Sequence, residues 1–379
     1  MRTENVAFLL DSAPRNWCSQ EDRHLEICKA LVGRGSKPVL VFAGKLPEAI
    51  EKRFRDAGVE VAAISYAEGP WNYRKQLKKI IREFKITTVH IIFFDYFSPL
   101  AWIAKTAGAR NVIYEMQNGG IFRAQSWKRS VLRARNALAT YPMTKVIAIS
   151  HFIREQLLAG GLSDQKIIVR HLGIDIDRFQ PDPTAREKLA QEYNLAPDEL
   201  VISTVAFLKP IKNPQTIVEA CGILAERGIR ARLFVAGDGE MLEELQTFSR
   251  KLGIEDRIHW LGLVPDPTQL LQASDLFILA TIGEAFGLVL AESMACGAPV
   301  VGSRSGGIPE VVVDQQTGLL VTPLQPTEFA DALERLWKDK RLHAEFRAKG
   351  IERVQENFTM EITVRNTMAI YDSIWSGRN

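Results

Sequence analysis

The strongest constraint on the fold is that short apolar runs alternate with helix-length amphipathic segments along nearly the whole chain, in two series. The first series contains seven strand candidates, at residues 6–10, 39–43, 59–64, 88–93, 111–116, 145–149 and 166–169. The second contains six, at residues 201–205, 232–236, 258–261, 276–279, 299–302 and 318–321. Because strand–helix alternation gives parallel strands joined by right-handed crossovers, each series predicts a doubly wound α/β sheet.

A segment without periodicity separates the two series. Residues 172–183 (LGIDIDRFQPDP) are rich in glycine, proline and aspartate, which is typical of a linker. A chain of 379 residues also exceeds what one core of ordinary size organises. We therefore predict a Rossmann-like domain over residues 1–175, joined by a C-terminal helix at 360–379, and a second Rossmann-like domain over 176–359. Ligands of such sheets bind beyond the carboxyl ends of the strands, which predicts a site in the cleft between the domains.

The composition excludes several classes of protein. The apolar fraction is 46% and the charged fraction 25%, as in soluble globular proteins. No apolar run approaches the ~18 residues of a membrane-spanning helix, and the first residues do not resemble a signal peptide. Cys18, Cys28, Cys221 and Cys296 form no CxxC pair and no metal-binding spacing, so reduced thiols are expected. These features predict a cytoplasmic protein.

Two basic stretches stand out against a net charge of only +3. Residues 71–85 (WNYRKQLKKIIREFK) and 122–140 (FRAQSWKRSVLRARNALAT) are amphipathic and carry a tryptophan at or near one end. They are solvated helix faces over a core stripe, or they dock on an anionic membrane, where each basic residue contributes ~1 kcal/mol. The second interpretation would make the protein peripheral on the cytoplasmic membrane face. No DNA- or RNA-binding motif accompanies the charge, so nucleic acid is not an expected partner.

The segment that carries chemistry is residues 283–307, GEAFGLVLAESMACGAPVVGSRSGG. Glu284 lies in a turn, and Glu292 lies on the helix that follows. Gly287 marks a close approach of the backbone, and the amides after it begin a helix whose N-terminus attracts anions. Two acids beside an anion site fit a ligand with phosphates and many hydroxyls, such as a nucleotide-sugar.

Further motifs occur in a fixed order around this segment. They are Ser150 in AISHFIREQL, the linker GIDIDRFQP, Lys212, GDGE at 237–240, WLGLVP at 260–265, PEVV at 309–312 and TGLLV at 317–321. This order resembles the retaining glycosyltransferases of the GT4 family (glycosyl transferases group 1), whose signature is E-x7-E. The resemblance covers about residues 146–323. It implies a GT-B fold, in which two Rossmann-like domains face a central cleft, the N-terminal one binding the acceptor and the C-terminal one the donor.

The resemblance also implies roles for the matching residues. Glu284 would be the catalytic residue that contacts the donor sugar at its reacting face, and Glu292 would accept from both ribose hydroxyls. Lys212 would neutralise the diphosphate leaving group. The other donor-binding candidates are Lys209, Gly283, Phe286, Gly287, Leu288 and Val289. The donor would be a UDP-, GDP- or ADP-sugar, and neither a metal nor another cofactor would be needed.

The chain departs from the family pattern at three places. Phe207 replaces an arginine, so Lys209 would have to reach the diphosphate instead, without the fork geometry of a guanidinium. The loop DSAPRNWCSQEDR after the first strand lacks a glycine pair. The run YEMQNGG after the fifth strand replaces a histidine of many relatives. The acceptor-side candidates are Asp95, Glu115, Gln117 and Asn118.

Two other features have simple structural interpretations. His90 has apolar neighbours on both sides and is predicted to be a core residue. Asp175 and Asp177 match a DxD metal motif, but their position in the linker favours turn formation.

The predicted function is transfer of a hexose-type sugar from a nucleoside diphosphate to a hydroxyl acceptor, with retention and without a metal. The acceptor would be a lipid-linked or polysaccharide intermediate. Two alternatives remain. The first is a sugar-nucleotide-binding protein without turnover, motivated by Phe207 and the missing glycine pair. The second is a GT-B sugar-nucleotide 2-epimerase, which would consume the donor alone.

Overall fold

The computed structural model describes residues 4–65, 67, 69–92, 98–117 and 129–377. Contacts divide the chain into two compact units. The first unit comprises Met1–His171 with Met360–Asn379, and the second comprises Leu172–Thr359. Two acceptor-side candidates, Asp95 and Asn118, lie outside the described residues, as does the beginning of the second basic stretch.

The first unit is built on a seven-stranded sheet in which every pairing is parallel, with the order β3-β2-β1-β4-β5-β6-β7. Its elements are β1 (Asn5–Leu10), α1 (Ser19–Gly33), β2 (Val39–Phe42), α2 (Glu48–Asp56), β3 (Glu60–Ala63), α3 (Pro70–Glu83), β4 (Ile86–Ile92), α4 (Leu100–Ala107), β5 (Asn111–Met116), α5 (Arg129–Thr140), β6 (Lys145–Ala148), α6 (His151–Ala159) and β7 (Ile167–Val169). Helices cover both faces of such a sheet, which explains why β1 is an unbroken buried run rather than an alternating one.

The second unit repeats this architecture with six parallel strands in the order β10-β9-β8-β11-β12-β13. Its elements are α7 (Ala185–Tyr193), β8 (Leu200–Val205), α8 (Pro214–Glu226), β9 (Ala231–Ala236), α9 (Leu242–Lys251), β10 (Ile258–Gly262), α10 (Thr268–Ala273), β11 (Leu276–Leu279), α11 (Leu288–Cys296), β12 (Val300–Ser303), α12 (Ile308–Val311), β13 (Gly318–Val321), α13 (Pro326–Lys338) and α14 (Lys340–Asn357). The strand order is that of the dinucleotide-binding fold, so the predicted doubly wound sheets are confirmed.

The segment predicted as a linker is packed rather than free. Leu172, Ile174 and Phe179 are buried, and the Ile174 amide donates to the Phe358 carbonyl oxygen at 2.8 Å. The apolar residues of LGIDIDRFQPDP are therefore part of the packed structure rather than of a free linker.

Asp175 forms the turn that its position predicts. Its Oδ1 accepts from the backbone amides of Asp177 at 3.0 Å and Arg178 at 3.2 Å. An aspartate that bonds to amides two and three residues later stabilises a local turn.

The state of the cysteines and the hydropathy of the described helices agree with what the composition predicts. All four cysteines are free, and Cys28, Cys221 and Cys296 are buried. Among the described residues, no helix combines the length and the hydropathy needed to traverse a bilayer.

The last helix, α15 (Met360–Trp375), belongs to the first unit. Its residues Met368, Ile370, Tyr371 and Ile374 are buried in the same core as the side chains of β1. Trp375 Nε1 also donates to Thr88 Oγ1 of β4 at 3.0 Å. The core of the first unit therefore depends on residues at both ends of the chain.

We predict that Ile374→Ala destabilises the first unit by roughly 2–5 kcal/mol, because it removes buried methylenes and leaves a cavity. Hydrogen exchange should accelerate in β1 and β4 and remain unchanged in β8 and β9. The matched control is Arg365→Ala, an exposed position on the same helix, which should change neither. Equal effects of the two substitutions would contradict a core role for α15.

Candidate functional site

A cavity of about 350 Å³ lies at the carboxyl ends of the strands in the second unit. It is lined by Val205, Ala206, Phe207, Lys212, Ala236, Gly237, Leu263, Val264, Glu284, Gly287, Leu288 and Val289. These residues end or follow strands β8, β9, β10 and β11, which is the edge where parallel α/β sheets bind ligands. Another cavity, of about 380 Å³, lies against α9 and is lined mainly by that helix rather than by strand ends.

The central interaction of the first cavity joins Lys212 and Glu284. Lys212 Nζ lies 2.6 Å from Glu284 Oε2. The lysine ends a short 3₁₀ turn after β8, and the glutamate lies in the loop between β11 and α11. Their side chains are 27% and 16% exposed, so both charges remain within reach of a ligand that enters the cavity.

The loop that carries Glu284 is fixed from two sides. On one side, the Ile282 amide donates to the carbonyl oxygen of Ile211, next to Lys212, at 3.0 Å. On the other, the Gly307 amide donates to the Glu284 carbonyl oxygen at 2.9 Å. Gly306 has φ +59°, and a Cβ there would lie 1.9 Å from the Glu284 carbonyl oxygen. The sequence SGG thus permits a backbone approach that no larger residue allows.

Helix α11 begins at the cavity wall. Gly287, at φ +96°, precedes its first residue, and Gly287, Leu288 and Val289 all line the cavity. The first amides of a helix lack acceptors within the helix and carry its positive partial charge. Phe286 contributes differently: its side chain is buried, and its ring packs edge-on against Phe358 with centroids 5.6 Å apart.

Several predicted donor-binding residues lie apart from the cavity lining. Glu292 is buried on α11. Gly283 packs next to Ile211, and a Cβ at Gly283 would lie 3.1 Å from that side chain. Lys209 is exposed, with its Nζ 5.7 Å from the centre of the Phe207 ring. Lys212, Glu284 and the start of α11 are the predicted residues that the cavity brings together.

The cavity also has an apolar wall that the charged motifs do not reveal. Phe207 and Leu263 line it, and they are 58% and 65% exposed. From the sequence alone, Phe207 is noted only because it stands where the family has an arginine. The signal that identifies it is its position directly after the carboxyl end of β8, where ligand contacts are expected.

Two acceptor-side candidates, Glu115 and Gln117, lie in the first unit. Glu115 is buried rather than exposed to a ligand: its Oε2 is 2.6 Å from Arg170 Nη2 and 3.4 Å from His90 Nε2. Burial opposes the charge of Glu115, but Arg170, His90 and Arg23 outweigh it and hold its pKa well below the usual range. Gln117 is half-buried and donates from Nε2 to Glu115 Oε1 at 2.6 Å.

His90 is fully buried, which confirms the prediction of a core histidine. Its Nδ1 lies 2.7 Å from the Tyr371 hydroxyl of α15. Glu115 therefore belongs to an internal polar cluster of the first unit.

Gly306→Ala should destabilise the second unit more than Gly228→Ala does. Both positions have positive φ, +59° and +73°, so both substitutions cost about 1–2 kcal/mol in backbone strain. Nothing lies within 4 Å of a Cβ at Gly228, whereas a Cβ at Gly306 must displace the Glu284 backbone. Chemical denaturation measures the difference. Equal losses in the free energy of unfolding would show that the backbone around Glu284 can move away from the added Cβ without a cost in stability.

Comparison with known proteins covers both units. The family model described as Glycosyltransferase Family 4 matches residues 21–178, and the model described as Glycosyl transferases group 1 matches residues 185–353. N-acetyl-alpha-D-glucosaminyl L-malate synthase from Bacillus anthracis is 35% identical over 193 residues, or 51% of this chain. That match spans only half (50%) of the relative's own length.

Two further likenesses extend over most of the molecule. The GDP-mannose-dependent alpha-(1-6)-phosphatidylinositol monomannoside mannosyltransferase of Mycobacterium tuberculosis is 30% identical over 351 residues, 86% of this chain and 87% of the relative. The crystal structure of Anabaena HepE with UDP-glucose has a TM-score of 0.80 at 21% identity, and the match covers 96% of this chain and 99% of that one. This likeness and the two parallel sheets confirm the predicted GT-B fold class. Since the family models match both units and the mycobacterial relative matches most of the chain, this protein belongs to glycosyltransferase family 4.

Proposed function

We propose that the second unit binds a nucleoside-diphosphate sugar and that the protein transfers its hexose-type sugar to a hydroxyl acceptor with retention. The observation that carries this proposal is the order of chemical groups along the cavity. Leu263 and Val264 follow β10, Gly237 follows β9, Phe207 follows β8, and Glu284 follows β11. These strands are consecutive in the sheet, so the edge from β10 to β11 spans about 14 Å at ~4.8 Å per step.

A ligand that fits this edge is elongated and carries different chemical groups at its two ends. The apolar face of a planar ring would lie by Leu263 and Val264, and the ligand's charged and hydroxyl-bearing end would lie by Lys212 and Glu284. A nucleoside-diphosphate sugar has this order of base, diphosphate and sugar. A backbone position without a side chain, Gly237, lies between the two ends; a Cβ there would be 1.8 Å from the Ala206 carbonyl oxygen.

The ion pair supplies the proposed chemistry. An incoming diphosphate takes the place of the Glu284 carboxylate at Lys212, and Glu284 then accepts hydrogen bonds from the donor sugar. The bond between the anomeric carbon and the phosphate oxygen breaks as the acceptor oxygen bonds to that carbon on the same face. The acceptor's proton passes to the departing phosphate, giving a glycoside and a nucleoside diphosphate. Lys212 and the amides that begin α11 stabilise the charge that grows on the leaving group, so we propose that no metal is required.

The names of similar proteins support the donor class. HepE was crystallised with UDP-glucose, and the mycobacterial relative is named as GDP-mannose-dependent. The latter also acts on a phosphatidylinositol monomannoside, a lipid-linked acceptor. We therefore assign the donor as a UDP-, GDP- or ADP-sugar, and the acceptor as a lipid-linked or glycan hydroxyl.

Glu284→Gln should separate binding from transfer. Removing its charge frees Lys212, so the variant should bind a nucleoside diphosphate at least as tightly as the wild type. Its rate of glycosyl transfer should fall by about 100-fold or more, because a contact to the reacting sugar is weakened. Calorimetry with UDP, GDP and ADP, followed by nucleotide-release assays with the matching sugars and extracted acceptors, measures both quantities. Binding without turnover in the wild type would favour the alternative of a sugar-nucleotide-binding protein.

Lys212→Met should weaken nucleoside-diphosphate binding roughly 10- to 100-fold, since it removes a charged hydrogen bond to the diphosphate. The matched control is Lys251→Met, an exposed lysine at the end of α9 that does not line this cavity. Unchanged affinity in Lys212→Met would contradict the assignment of the cavity to the donor.

We also propose that the first unit docks peripherally on an anionic membrane. The apolar stripe of α3, including Tyr73 and Leu77, is buried in the core, so that stripe is not available to lipid. The basic side of α3 is available: Lys75 and Lys79 are exposed, and Trp71 is 79% exposed at the first turn. Electrostatic attraction with one aromatic anchor is the mode that these residues support.

A second aromatic group lies on neighbouring helices. Trp102 of α4 stacks on Tyr141, just past the end of α5, with ring centroids 5.8 Å apart. Tyr141 is 73% exposed and Leu138 is 65% exposed. Amphipathic rings of this kind suit the interface between headgroups and water.

The variant Lys75→Glu/Lys79→Glu should lose most of its binding to phosphatidylglycerol vesicles, by more than about tenfold, because each basic residue contributes ~1 kcal/mol. Co-sedimentation at low and high salt measures this. Lys45→Glu/Lys52→Glu changes the charge equally at other exposed positions of the first unit and should bind like the wild type. Binding to phosphatidylcholine vesicles that equals binding to phosphatidylglycerol would contradict an electrostatic mode.

A further inference from the structure

A chain of polar contacts runs from the C-terminal helix to the carboxyl edge of the first sheet. It begins at the Tyr371 hydroxyl of α15, which lies 2.7 Å from His90 Nδ1 on β4. It continues from His90 Nε2 to Glu115 Oε2 at 3.4 Å, which is long for a hydrogen bond, and ends with Gln117 Nε2 donating to Glu115 Oε1 at 2.6 Å. Arg170, directly after β7, holds Glu115 Oε2 at 2.6 Å. Four of these five side chains are buried, and Gln117 alone is half-exposed.

The chemistry of these groups fixes the direction of each contact. Glu115 is ionised and can only accept, so its charge favours the proton on the His90 nitrogen that faces it at 3.4 Å, because an unprotonated nitrogen there would be repelled. His90 is neutral because burial lowers its pKa, so its other nitrogen has no proton and accepts from Tyr371. Burial likewise raises the pKa of Tyr371 well above its usual range and keeps the hydroxyl as a donor. The cluster therefore holds His90 as the Nε2–H tautomer.

The same reasoning orients Gln117. Only the amino group of a side-chain amide can donate to a carboxylate, so the amide nitrogen of Gln117 must face Glu115. Its carbonyl oxygen then points away from the carboxylate. Gln117 directly follows β5, at the edge of the sheet where ligands bind. The residue at the end of β5 thus presents its carbonyl oxygen as a hydrogen-bond acceptor, because the buried Glu115 binds its amide nitrogen.

We propose that the Gln117 carbonyl oxygen accepts a hydrogen bond from a hydroxyl of the glycosyl acceptor, and that Glu115, His90 and Tyr371 are positioning residues that fix this orientation. The proposal rests on the proposed glycosyl transfer, because the hydroxyl belongs to its second substrate. A glutamine amide held by water alone can rotate and offer its NH₂ group instead. A buried, permanently ionised carboxylate removes that freedom, so the site discriminates in favour of a donor group such as O–H.

The buried position of the Glu115 carboxylate explains why two arginines lie near it. Arg170 is almost completely buried, and so is Arg23 of α1, whereas the nearby His24 is neutral because burial lowers its pKa to about 3. A buried carboxylate without compensating charge would take up a proton and then could donate to the Gln117 carbonyl, reversing the amide. The arginines therefore preserve the direction of the final contact as well as the fold.

Nitrogen NMR of histidine-labelled protein tests the internal half of the proposal without any substrate. The groups facing His90 are Glu115, Arg170, Tyr371 and His24. We expect the His90 resonances of a neutral Nε2–H tautomer, unchanged over a range of about pH 5–8. Tyr371→Phe should broaden or shift the Nδ1 resonance, because it removes the hydroxyl donor. A protonated His90, or the Nδ1–H tautomer, would overturn the assigned direction.

Steady-state kinetics test the external half. Gln117→Leu removes the carbonyl oxygen, and Gln117→Glu puts a second carboxylate beside Glu115, so neither can keep the wild-type contact. Each should raise the KM for the extracted acceptor about tenfold while the KM for the donor sugar nucleotide stays within twofold. Gln165→Leu, at an exposed position of the first unit, is the matched control and should behave like the wild type.

The outcomes distinguish this proposal from the one on which it rests. Glu115→Gln, which leaves Gln117 itself intact but can offer either an oxygen or an NH₂ group to it, should also raise the acceptor KM and not the donor KM. Equal changes of both constants would indicate a merely structural role and overturn the proposal, and so would an unchanged acceptor KM in Gln117→Leu. If the wild type turns over no sugar nucleotide with any acceptor, the proposed function fails, and the assignment of Gln117 to an acceptor fails with it.

Discussion

The ion pair between Lys212 and Glu284 is the interaction on which the second unit's cavity depends. It joins the turn after β8 to the loop after β11 and places the cavity's two charged side chains together at the middle of the sheet. The pair is partly exposed, and partly solvated pairs are worth little net free energy. A ligand with its own charge and hydroxyls can therefore replace the ion pair at low cost in free energy.

The first unit contains the opposite case, since the pair of Glu115 and Arg170 is almost completely buried. Removing one partner of such a pair leaves an uncompensated charge in a low dielectric. Burial thus decides which glutamate is free to meet a ligand and which one holds other groups in place.

Close backbone approaches determine how near the loops around the cavity of the second unit lie to one another. The loop after β9 packs against the segment after β8 so tightly that a Cβ at Gly239 would lie 2.4 Å from the Leu208 carbonyl oxygen. The loop of Glu284 packs in the same way against Gly306 and Gly307. Side chains at these positions would push the strand-end loops apart and widen the space between the apolar wall and the ion pair. The glycines of GDGE and SRSGG therefore act through the short distances that they permit between backbones, and Gly307 adds a backbone hydrogen bond to the Glu284 carbonyl oxygen.

Much of this architecture can be predicted from the sequence, for identifiable reasons. Parallel strands covered on both faces are continuous apolar runs, so the ends of β5, β11 and β13 are predictable to the residue. Lys212 and Glu284 are found because their motifs have a fixed order. The direction of a side chain at a strand end is not predictable in this way. Glu115 turns inward because Arg170, far along the chain, and Tyr371, on the last helix, supply its environment. Likewise, the segment beginning at Leu172 has the composition of a linker, but its few apolar residues are buried in the folded chain.

The replacement of the family's arginine by Phe207 changes how the cavity would hold its ligand. Among the described residues that line it, Lys212 and Glu284 are the charged ones, and they neutralise each other. A diphosphate would thus approach a site whose side chains carry no net charge, so Lys212 can attract it only once Glu284 has been displaced, and groups that are not ionised must contribute to the initial binding. The amides at the start of α11 provide one such contribution, since their positive partial charge is permanent and oriented. The exposed faces of Phe207 and Leu263 provide the other, by burial against the apolar part of the ligand. Both contributions are short-ranged and depend on shape. A sugar nucleotide in this cavity would therefore be selected by its fit along the strand ends more than by electrostatic attraction at a distance.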